Sequence, residues 1–426
     1  MRPDSSQGAV PIFSIGIVIL LSVSLAAWRP TAWPGTLTLG LLMLALVPLW
    51  LGAAAWLWRR PGRLPLRWIL LFGLLFRLAA AMEPPALSSD AYRYLWDGRV
   101  QRSGLSPYTF APGDPHLTAL RDEVVFPHVN RPEAHTIYPP GAQVLFAAMP
   151  YDLPLVRLVF IALDLVTAWL VARLLGHIGQ DPARAILYAW SPLAIYEVGN
   201  ASHIDAVMLP LLVGGAWALV AGRARLAGWL WGGAASLKLY PALALFSTNR
   251  QERRTVDTRV LLVGAALYGV YGLVSGPQVL GFLPDYVRPA EDHNIGLRLL
   301  LEVLAAPLGP KGARVAGFAG CLAAMAAGVW LVLRQSSAPL RRLRDLVAVY
   351  LLTVPTALHP WYALWLLPFM CTGPTAAGLW LLATLPLSYL KYTMPGGVLP
   401  VWVPLVEFAP AAMLQVRLLL RPSEAA

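Results

Sequence analysis

The chain has 426 residues, of which 58% are hydrophobic and 13% are charged, so its polar residues are too few to cover a soluble globule of this size. We therefore predict an all-α polytopic membrane protein and exclude a soluble domain. The net charge of +11 comes mainly from arginines in short segments between apolar runs. That pattern indicates membrane topology rather than nucleic-acid binding.

Apolar runs that can cross about 30 Å of hydrocarbon occur along the whole chain. Seven long runs predict membrane-spanning helices at residues 10–28, 36–58, 154–175, 204–221, 258–275, 313–333 and 398–420. Six shorter or interrupted runs lie at 68–82, 183–199, 226–249, 345–358, 361–372 and 376–391. Together they predict about 12 to 14 transmembrane helices in a single integral membrane domain over residues 1–426.

The arginine distribution predicts which side of the membrane each segment occupies. The segment after the second run contains Arg59, Arg60, Arg63 and Arg67. By the positive-inside rule this segment and both termini are cytoplasmic. Residues 83–152 then form a large first extracytoplasmic loop, with eight acidic residues against five arginines and no lysine. We expect short interfacial helices in this loop, and a second extracytoplasmic region at 276–312.

This topology requires the run at 226–249 to enter the membrane and return to the same side. Gly232, Gly233 and Pro241 predict a break in the middle of that run, since proline and glycine interrupt helices. Lys238 would lie at the tip of the resulting hairpin. An ionisable group at bilayer depth needs a partner or a watery cavity, so Lys238 is a candidate functional residue.

The polar segment Ser88–Asp114 interrupts the apolar pattern directly after the third run. It contains the carboxylates, arginines and aromatic residues Asp90, Asp97, Arg93, Arg99, Arg102, Tyr92, Tyr94, Trp96 and Tyr108. Such a set can hold an anionic or sugar-like ligand at a membrane surface. We therefore expect the chemistry of the protein to begin in this segment.

Further polar clusters fall on the same predicted outer side, together with six of the seven histidines. The clusters are Thr136–Pro140, Glu197 with residues 200–205, Tyr286–Arg298 with Arg288 and His293, and His359–Tyr362. Each has a plain structural alternative. Asp205 could cap a helix, Trp361 and Tyr362 could belong to an interfacial aromatic belt, and Arg77 could pair with Asp164 between helices.

Common catalytic and metal-binding motifs are absent from the sequence. The chain has no HExxH, GxSxG or Walker motif, and its histidines are too far apart in sequence to predict a metal site. Cys321 and Cys371 both lie in apolar runs, which predicts packing residues rather than a disulfide or zinc ligands. We assign no metal-binding residue and no cofactor. Whether the protein uses a divalent cation is left open.

Five stretches, taken in order, resemble the bacterial polytopic glycosyltransferases of the GT-C superfamily: SSDAYRYLWDGRVQRSGLSPY, IYPPGAQ, EVGNASHIDA, SLKLYPALAL and HPWYALWLLP. These enzymes are grouped with mannosyltransferases that use polyprenyl-phosphate sugars, and are distantly similar to the catalytic subunit of GPI mannosyltransferase. The resemblance runs from about Arg77 to Pro368. It implies a GT-C-type helical bundle in the inner (plasma) membrane, with an extracytoplasmic active site.

The resemblance also implies that a carboxylate of the first external loop is the catalytic base. In this sequence that residue is Asp90. Members of the superfamily often have two adjacent acids here, whereas this chain has Ser89 and Asp90. The difference leaves Asp90 as the first choice and weakens a metal-binding acidic pair. Asp97 is the alternative base.

Displacing a lipid phosphate requires a base for the acceptor hydroxyl and cations for the departing phosphate. The candidate phosphate ligands are Arg77, Lys238, Arg298 and His359. The candidate sugar ligands are Arg93, Tyr94, His203 and Asp205, with Asp97 among them if it is not the base, and Tyr138, Glu197 and Tyr362 complete the expected site. A single displacement would invert the anomeric centre, and the transferred hexose implied by the resemblance is mannose.

The principal alternative is a transporter or flippase of lipid-linked sugars, because broken helices and buried charges also occur in secondary transporters. Neither the polar segment nor the Lys238 hairpin has a second copy in the other half of the sequence, which favours an enzyme. The expected partners are a polyprenyl-phosphate sugar donor, a lipid or glycan acceptor and membrane lipids, with no nucleic acid.

Overall fold

The computed structural model describes residues 10–28, 35–286, 294–354 and 356–421, and within these ranges the chain is helical without strands. The α-helices are α1 (Val10–Ala26), α2 (Gly35–Trp58), α3 (Leu66–Ala80), α4 (Asp90–Arg102), α5 (Pro140–Ala148), α6 (Leu153–His177), α7 (Ile186–Ala189), α8 (Pro192–Gly199), α9 (Asp205–Val220), α10 (Ala224–Leu237), α11 (Arg250–Ser275), α12 (Leu283–Tyr286), α13 (Leu297–Leu304), α14 (Gly309–Gln335), α15 (Pro339–Thr353), α16 (Leu367–Met370), α17 (Ala376–Thr384) and α18 (Trp402–Leu419). Short 3-10 helices occupy Pro115–Leu120, Phe126–His128, Pro182–Ala185, Tyr240–Ser247, Gly276–Leu280, Ala306–Leu308, Pro360–Trp365, Leu385–Thr393 and Pro395–Gly397.

The long apolar runs form long helices, as the sequence predicts for a membrane protein. Within the described ranges, five helical segments have the length and hydropathy needed to cross a membrane: Gly35–Trp58, Leu153–His177, Arg250–Leu280, Ala306–Gln335 and Trp402–Leu419. Two shorter apolar helices, Val10–Ala26 and Asp205–Val220, account for the other two long runs. The number of 12 to 14 transmembrane helices stays a prediction, because the remaining runs form shorter elements.

Several of the shorter runs are broken at their prolines. The run at 183–199 becomes a 3-10 turn followed by α7 and α8, and Pro192 begins α8. In the run at 226–249, α10 ends at Leu237 and Lys238 takes an extended conformation with φ −147° and ψ 140°. This confirms the predicted break at Lys238. Non-helical backbone within a membrane protein occurs where protein or a water-filled cavity surrounds it. Polar side chains can therefore be accommodated at these breaks.

The central helices pack closely enough to require small residues at their contacts. Helix α10 packs against α9 and α11, α6 packs against α9, and α4 packs against α5. At the last contact, a Cβ on Gly98 would lie 2.1 Å from the carbonyl oxygen of Phe146, so only glycine fits there. This contact fixes α4, the helix that begins with Asp90, against α5.

Polar contacts connect distant parts of the segment 83–152 to each other. Arg99 Nη1 lies 2.5 Å from Asp122 Oδ2, and the Tyr151 hydroxyl also donates to Asp122. Burial alone would raise the pKa of Asp122, but hydrogen bonds from Tyr151 and two backbone amides and the Arg99 charge lower it overall. The short helices expected in this segment are present, while its position relative to the membrane stays a prediction.

Candidate active site

A cavity of about 920 Å³ lies beside the first turn of α4. It is lined mainly by the segment 84–93, the segment 128–139, the break after α10, helices α14 and α15, and the Pro360–Trp365 helix. Six of the residues predicted for the site line it: Asp90, Arg93, Tyr138, Lys238, His359 and Tyr362. The helix breaks therefore bring together polar residues that are far apart in sequence.

The cavity has two unlike walls. One wall is polar and aromatic, and consists of Tyr92, His128, Asn130, Arg131 and His135. A second wall is apolar, and includes Phe318, Leu322, Met325 and Val354. A cavity of this kind suits a ligand with a polar head and a hydrocarbon tail.

Asp90 projects from the first position of α4 and is held by two hydrogen-bond donors. Its Oδ1 accepts from Asn130 Nδ2 at 2.6 Å, and its Oδ2 accepts from the Tyr138 hydroxyl at 3.2 Å. The carboxylate remains 20% exposed. A negative charge at a helix N-terminus also interacts favourably with the helix dipole. The carboxylate is thus oriented while one side stays open to the cavity.

The Tyr138 hydroxyl lies between the Asp90 carboxylate and the buried Tyr94 hydroxyl. Burial raises the pKa of the Tyr138 hydroxyl well above the usual range, and the neighbouring Asp90 carboxylate raises it further. The hydroxyl therefore stays protonated and can donate. It lies 3.5 Å from the Tyr94 hydroxyl, which accepts from the backbone amide of Ile204 at 3.3 Å.

His203 and Glu197 lie directly behind Asp90. The Nδ1 of His203 is 3.7 Å from Asp90 Oδ2, and its Nε2 is 3.4 Å from Glu197 Oε2. The ring of Trp361 stacks on His203 with centroids 4.1 Å apart and on His359 with centroids 4.2 Å apart. Trp361 therefore has a specific position in the site, beyond any role in an aromatic belt.

Asp205 and Lys238 form an ion pair beside the same cavity. Their Oδ2 and Nζ atoms are 2.6 Å apart, and the other carboxylate oxygen accepts from the indole of Trp365. The Asp205 side chain thus binds these two partners rather than capping α9. Lys238 also lies 5.5 Å from the ring centroid of Tyr362. Lys238 lines the cavity, whereas Asp205 is buried behind it.

Three predicted residues that do not line the cavity themselves are engaged in ion pairs. Asp97 Oδ1 lies 2.8 Å from Arg93 Nε, and its Oδ2 accepts from Gln143 at 3.1 Å. Arg77 lies 2.6 Å from Asp164 and donates to two backbone carbonyls. Arg298 Nε lies 3.1 Å from Glu302 on α13.

The other predicted residues form a second layer or fall outside the description. Tyr94, Glu197, His203 and Asp205 are buried one contact behind the cavity-lining side chains. Arg288 and His293 lie outside the described residues. The part of the chain that the structure describes has no group of three His, Cys, Asp or Glu side chains arranged to hold a metal ion.

Asn130, Arg131 and His128 also line the cavity and were not among the predicted site residues. Asn130 makes the shortest hydrogen bond to Asp90 at 2.6 Å, and Arg131 has φ +49°. A left-handed arginine is uncommon and often marks a functional site. No local pattern predicted the contact of Asn130 with Asp90, because the two residues are 40 positions apart in the chain.

A comparison with protein families places the chain in a known group. A family model described as "Alpha-(1->6)-mannopyranosyltransferase, N-terminal domain" matches residues 8–249, which is more than half of the chain. The match includes Asp90, His203 and Lys238. No curated protein sequence and no solved structure gives a significant match. The chain belongs to the alpha-(1->6)-mannopyranosyltransferase (MptA/B) family, which confirms the resemblance to GT-C mannosyltransferases.

Proposed function

We propose that this protein transfers mannose from a polyprenyl-phosphate donor to the 6-hydroxyl of a mannoside acceptor, on the extracytoplasmic side of the membrane. The observation that carries the proposal is the position of Asp90. Its carboxylate opens into a cavity with one polar wall and one apolar wall, and the Lys238 ammonium lines the same cavity. A base and a cation at one amphiphilic cavity are what this transfer requires.

The proposed side of the membrane rests on helix geometry and charge. Helix α3 spans Leu66–Ala80 and is about 22 Å long at 1.5 Å per residue. It therefore needs the following residues 81–89 to carry the chain from the arginine segment across about 30 Å of hydrocarbon to Asp90. The arginine segment favours the cytoplasm. Asp90 then faces the opposite side, where lipid-linked rather than nucleotide-linked sugars are the available donors.

The reaction is a single displacement at the anomeric carbon. Asp90 takes the proton of the acceptor hydroxyl as its oxygen bonds to the anomeric carbon, while the bond to the phosphate oxygen breaks. Lys238 stabilises the charge that develops on the departing lipid phosphate. The prenyl chain lies against the apolar wall of Phe318, Leu322 and Met325, and the sugars lie against the polar wall. The anomeric centre is inverted, and no covalent enzyme intermediate forms.

A donor screen tests the proposal. We expect detergent-purified protein to transfer mannose from polyprenyl-phosphate mannose to octyl α-D-mannopyranoside, with less transfer from the glucose and arabinose analogues. Each donor is assayed with Mg²⁺ and with EDTA, so that any dependence on a divalent cation is measured in the same experiment. Transfer from GDP-mannose alone would contradict the proposal, because nucleotide sugars are cytoplasmic donors.

Removing the Lys238 charge is expected to lower kcat by roughly a hundredfold, as for the loss of one donor that stabilises developing charge. Lys238→Met has a similar length but no ammonium, whereas Lys238→Arg keeps the charge and should recover part of kcat. Steady-state kinetics with polyprenyl-phosphate mannose separate kcat from KM. Equal turnover in the two variants would show that Lys238 does not act through its charge.

A further inference from the structure

His203 lies between the carboxylates of Asp90 and Glu197. Its ring is fully buried and stacked on Trp361. Among the described residues, neither of its nitrogens has a hydrogen-bond partner, and the same holds for Glu197 Oε2. Buried unsatisfied polar atoms are costly. A closure of about half an ångström would bring both His203 contacts to hydrogen-bond length, which would satisfy all three atoms.

The surroundings of Glu197 favour its neutral form. The side chain is fully buried and Oε1 accepts from the Tyr389 hydroxyl at 2.6 Å. Within the described ranges no lysine or arginine lies within ion-pair distance of it. An ionised carboxylate in such a place is strongly disfavoured. A neutral Glu197 carries a proton on Oε2 and can donate it in a hydrogen bond to Nε2 of His203.

A donor at Nε2 fixes the tautomer of His203. The imidazole then carries its own proton on Nδ1, the nitrogen that faces Asp90. The titratable groups that face the ring are Asp90 and Glu197. Burial lowers the pKa of the His203 imidazole, and the positive charge of Lys238 lowers it further. His359 lies on the far side of Trp361. The ring is thus neutral, and its single N–H points at the Asp90 carboxylate.

We propose that Glu197 and His203 are positioning residues that act through Asp90, with Glu197 setting the tautomer of His203 and His203 donating from Nδ1 to Asp90 Oδ2. The inference rests on the proposed role of Asp90 as the base. The acceptor proton stays on Asp90 during transfer and does not pass to His203. The donated hydrogen bond stabilises the ionised carboxylate and directs its free lone pair toward the acceptor hydroxyl.

The test is the dependence of kcat on pH, measured with polyprenyl-phosphate mannose and octyl α-D-mannopyranoside. A donor to a carboxylate stabilises the charged form, so losing it moves the acid limb of the profile to higher pH. For His203→Ala we expect kcat to fall about tenfold and the acid limb to rise by about one pH unit. His203→Asn, whose amide can occupy the Nδ1 position, should recover much of both effects.

Two Glu197 variants test whether the Glu197 side chain acts as a neutral hydrogen-bond donor or as an anion. Glu197→Ala should shift the acid limb as His203→Ala does, and Glu197→Gln should reverse most of that shift, because its amide still donates to His203. The gel-filtration profile and the thermal unfolding of every variant are compared first with those of the unmodified protein. If His203→Asn and Glu197→Gln restore the acid limb while the alanine variants do not, the effect comes from positioning of Asp90 and not from misfolding.

The possible results have different consequences for the two proposals. If the acid limb does not move in His203→Ala and Asp90→Asn is inactive, the positioning role is overturned but the role of Asp90 as the base is not. Failure of Glu197→Gln to restore the limb would overturn the assignment of a neutral Glu197. Full activity of Asp90→Asn would instead overturn Asp90 as the base, and the positioning role with it. Absence of transfer from polyprenyl-phosphate mannose by the unmodified protein would overturn the proposed function.

Discussion

Asp90→Asn is expected to lower transfer by about a thousandfold, within the range that general-base catalysis contributes. Asparagine keeps the size of the side chain and can still pair with Asn130 and Tyr138, so the cavity should persist. The amide cannot accept the acceptor proton. Initial rates of mannose transfer from polyprenyl-phosphate mannose measure the effect, and binding of the donor should remain.

Two carboxylate variants serve as comparisons for Asp90. Asp114 lies in the same segment but is bound to exposed His116, so Asp114→Asn should leave turnover unchanged. Asp97→Asn removes the buried partner of Arg93, and its main effect should be lower thermal stability. If Asp90→Asn turned over normally while folded Asp97→Asn did not, Asp97 would be the base.

Arg77→Leu is expected to destabilise the folded protein by about 3–5 kcal/mol, the usual consequence of leaving one partner of a buried ion pair uncompensated. Both Arg77 and Asp164 are fully buried, at 2.6 Å from each other. Tyr188 also donates to Asp164, so this carboxylate is embedded in a network. Thermal unfolding in detergent measures the loss, and expression should fall in parallel.

The double variant Arg77→Leu with Asp164→Leu provides the matched control. Removing both charges leaves no uncompensated ion, so the double variant should be more stable than Arg77→Leu alone. Arg77 was also a candidate phosphate ligand, and the kinetics test that role. A raised KM for the donor with unchanged thermal stability would favour phosphate binding over the structural role proposed here.

The sequence was sufficient to predict the membrane class and the elements around the site. Long apolar runs report directly on burial in hydrocarbon, so the helices near 36–58 and 154–175 could be located to within a few residues. The break at Lys238 was also predictable, because Gly232, Gly233 and Pro241 affect the backbone locally. The polar segment after α3 stood out for the same reason, since charge is rare in such a chain.

Pairing across the bundle could not be predicted from one sequence. Whether Arg77 meets a lipid phosphate or Asp164 depends on which faces of α3 and α6 pack together, and apolar helices with no polar side leave that choice open. The same ambiguity concerned Asp205, whose position at the start of α9 fits a cap equally well. Its partner Trp365 lies 160 residues away, beyond the range of any local pattern.

The contacts behind the cavity also determine when the site can form. Glu197 bonds to Tyr389, which follows it by 192 residues, and His203 and Asp205 depend on Trp361 and Trp365. During synthesis these polar groups enter the membrane well before their partners exist. Non-local contacts form late because long loops must close first. The earlier helices therefore form before Glu197, His203 and Asp205 have these later partners, and the cavity is among the last parts of the molecule to be assembled.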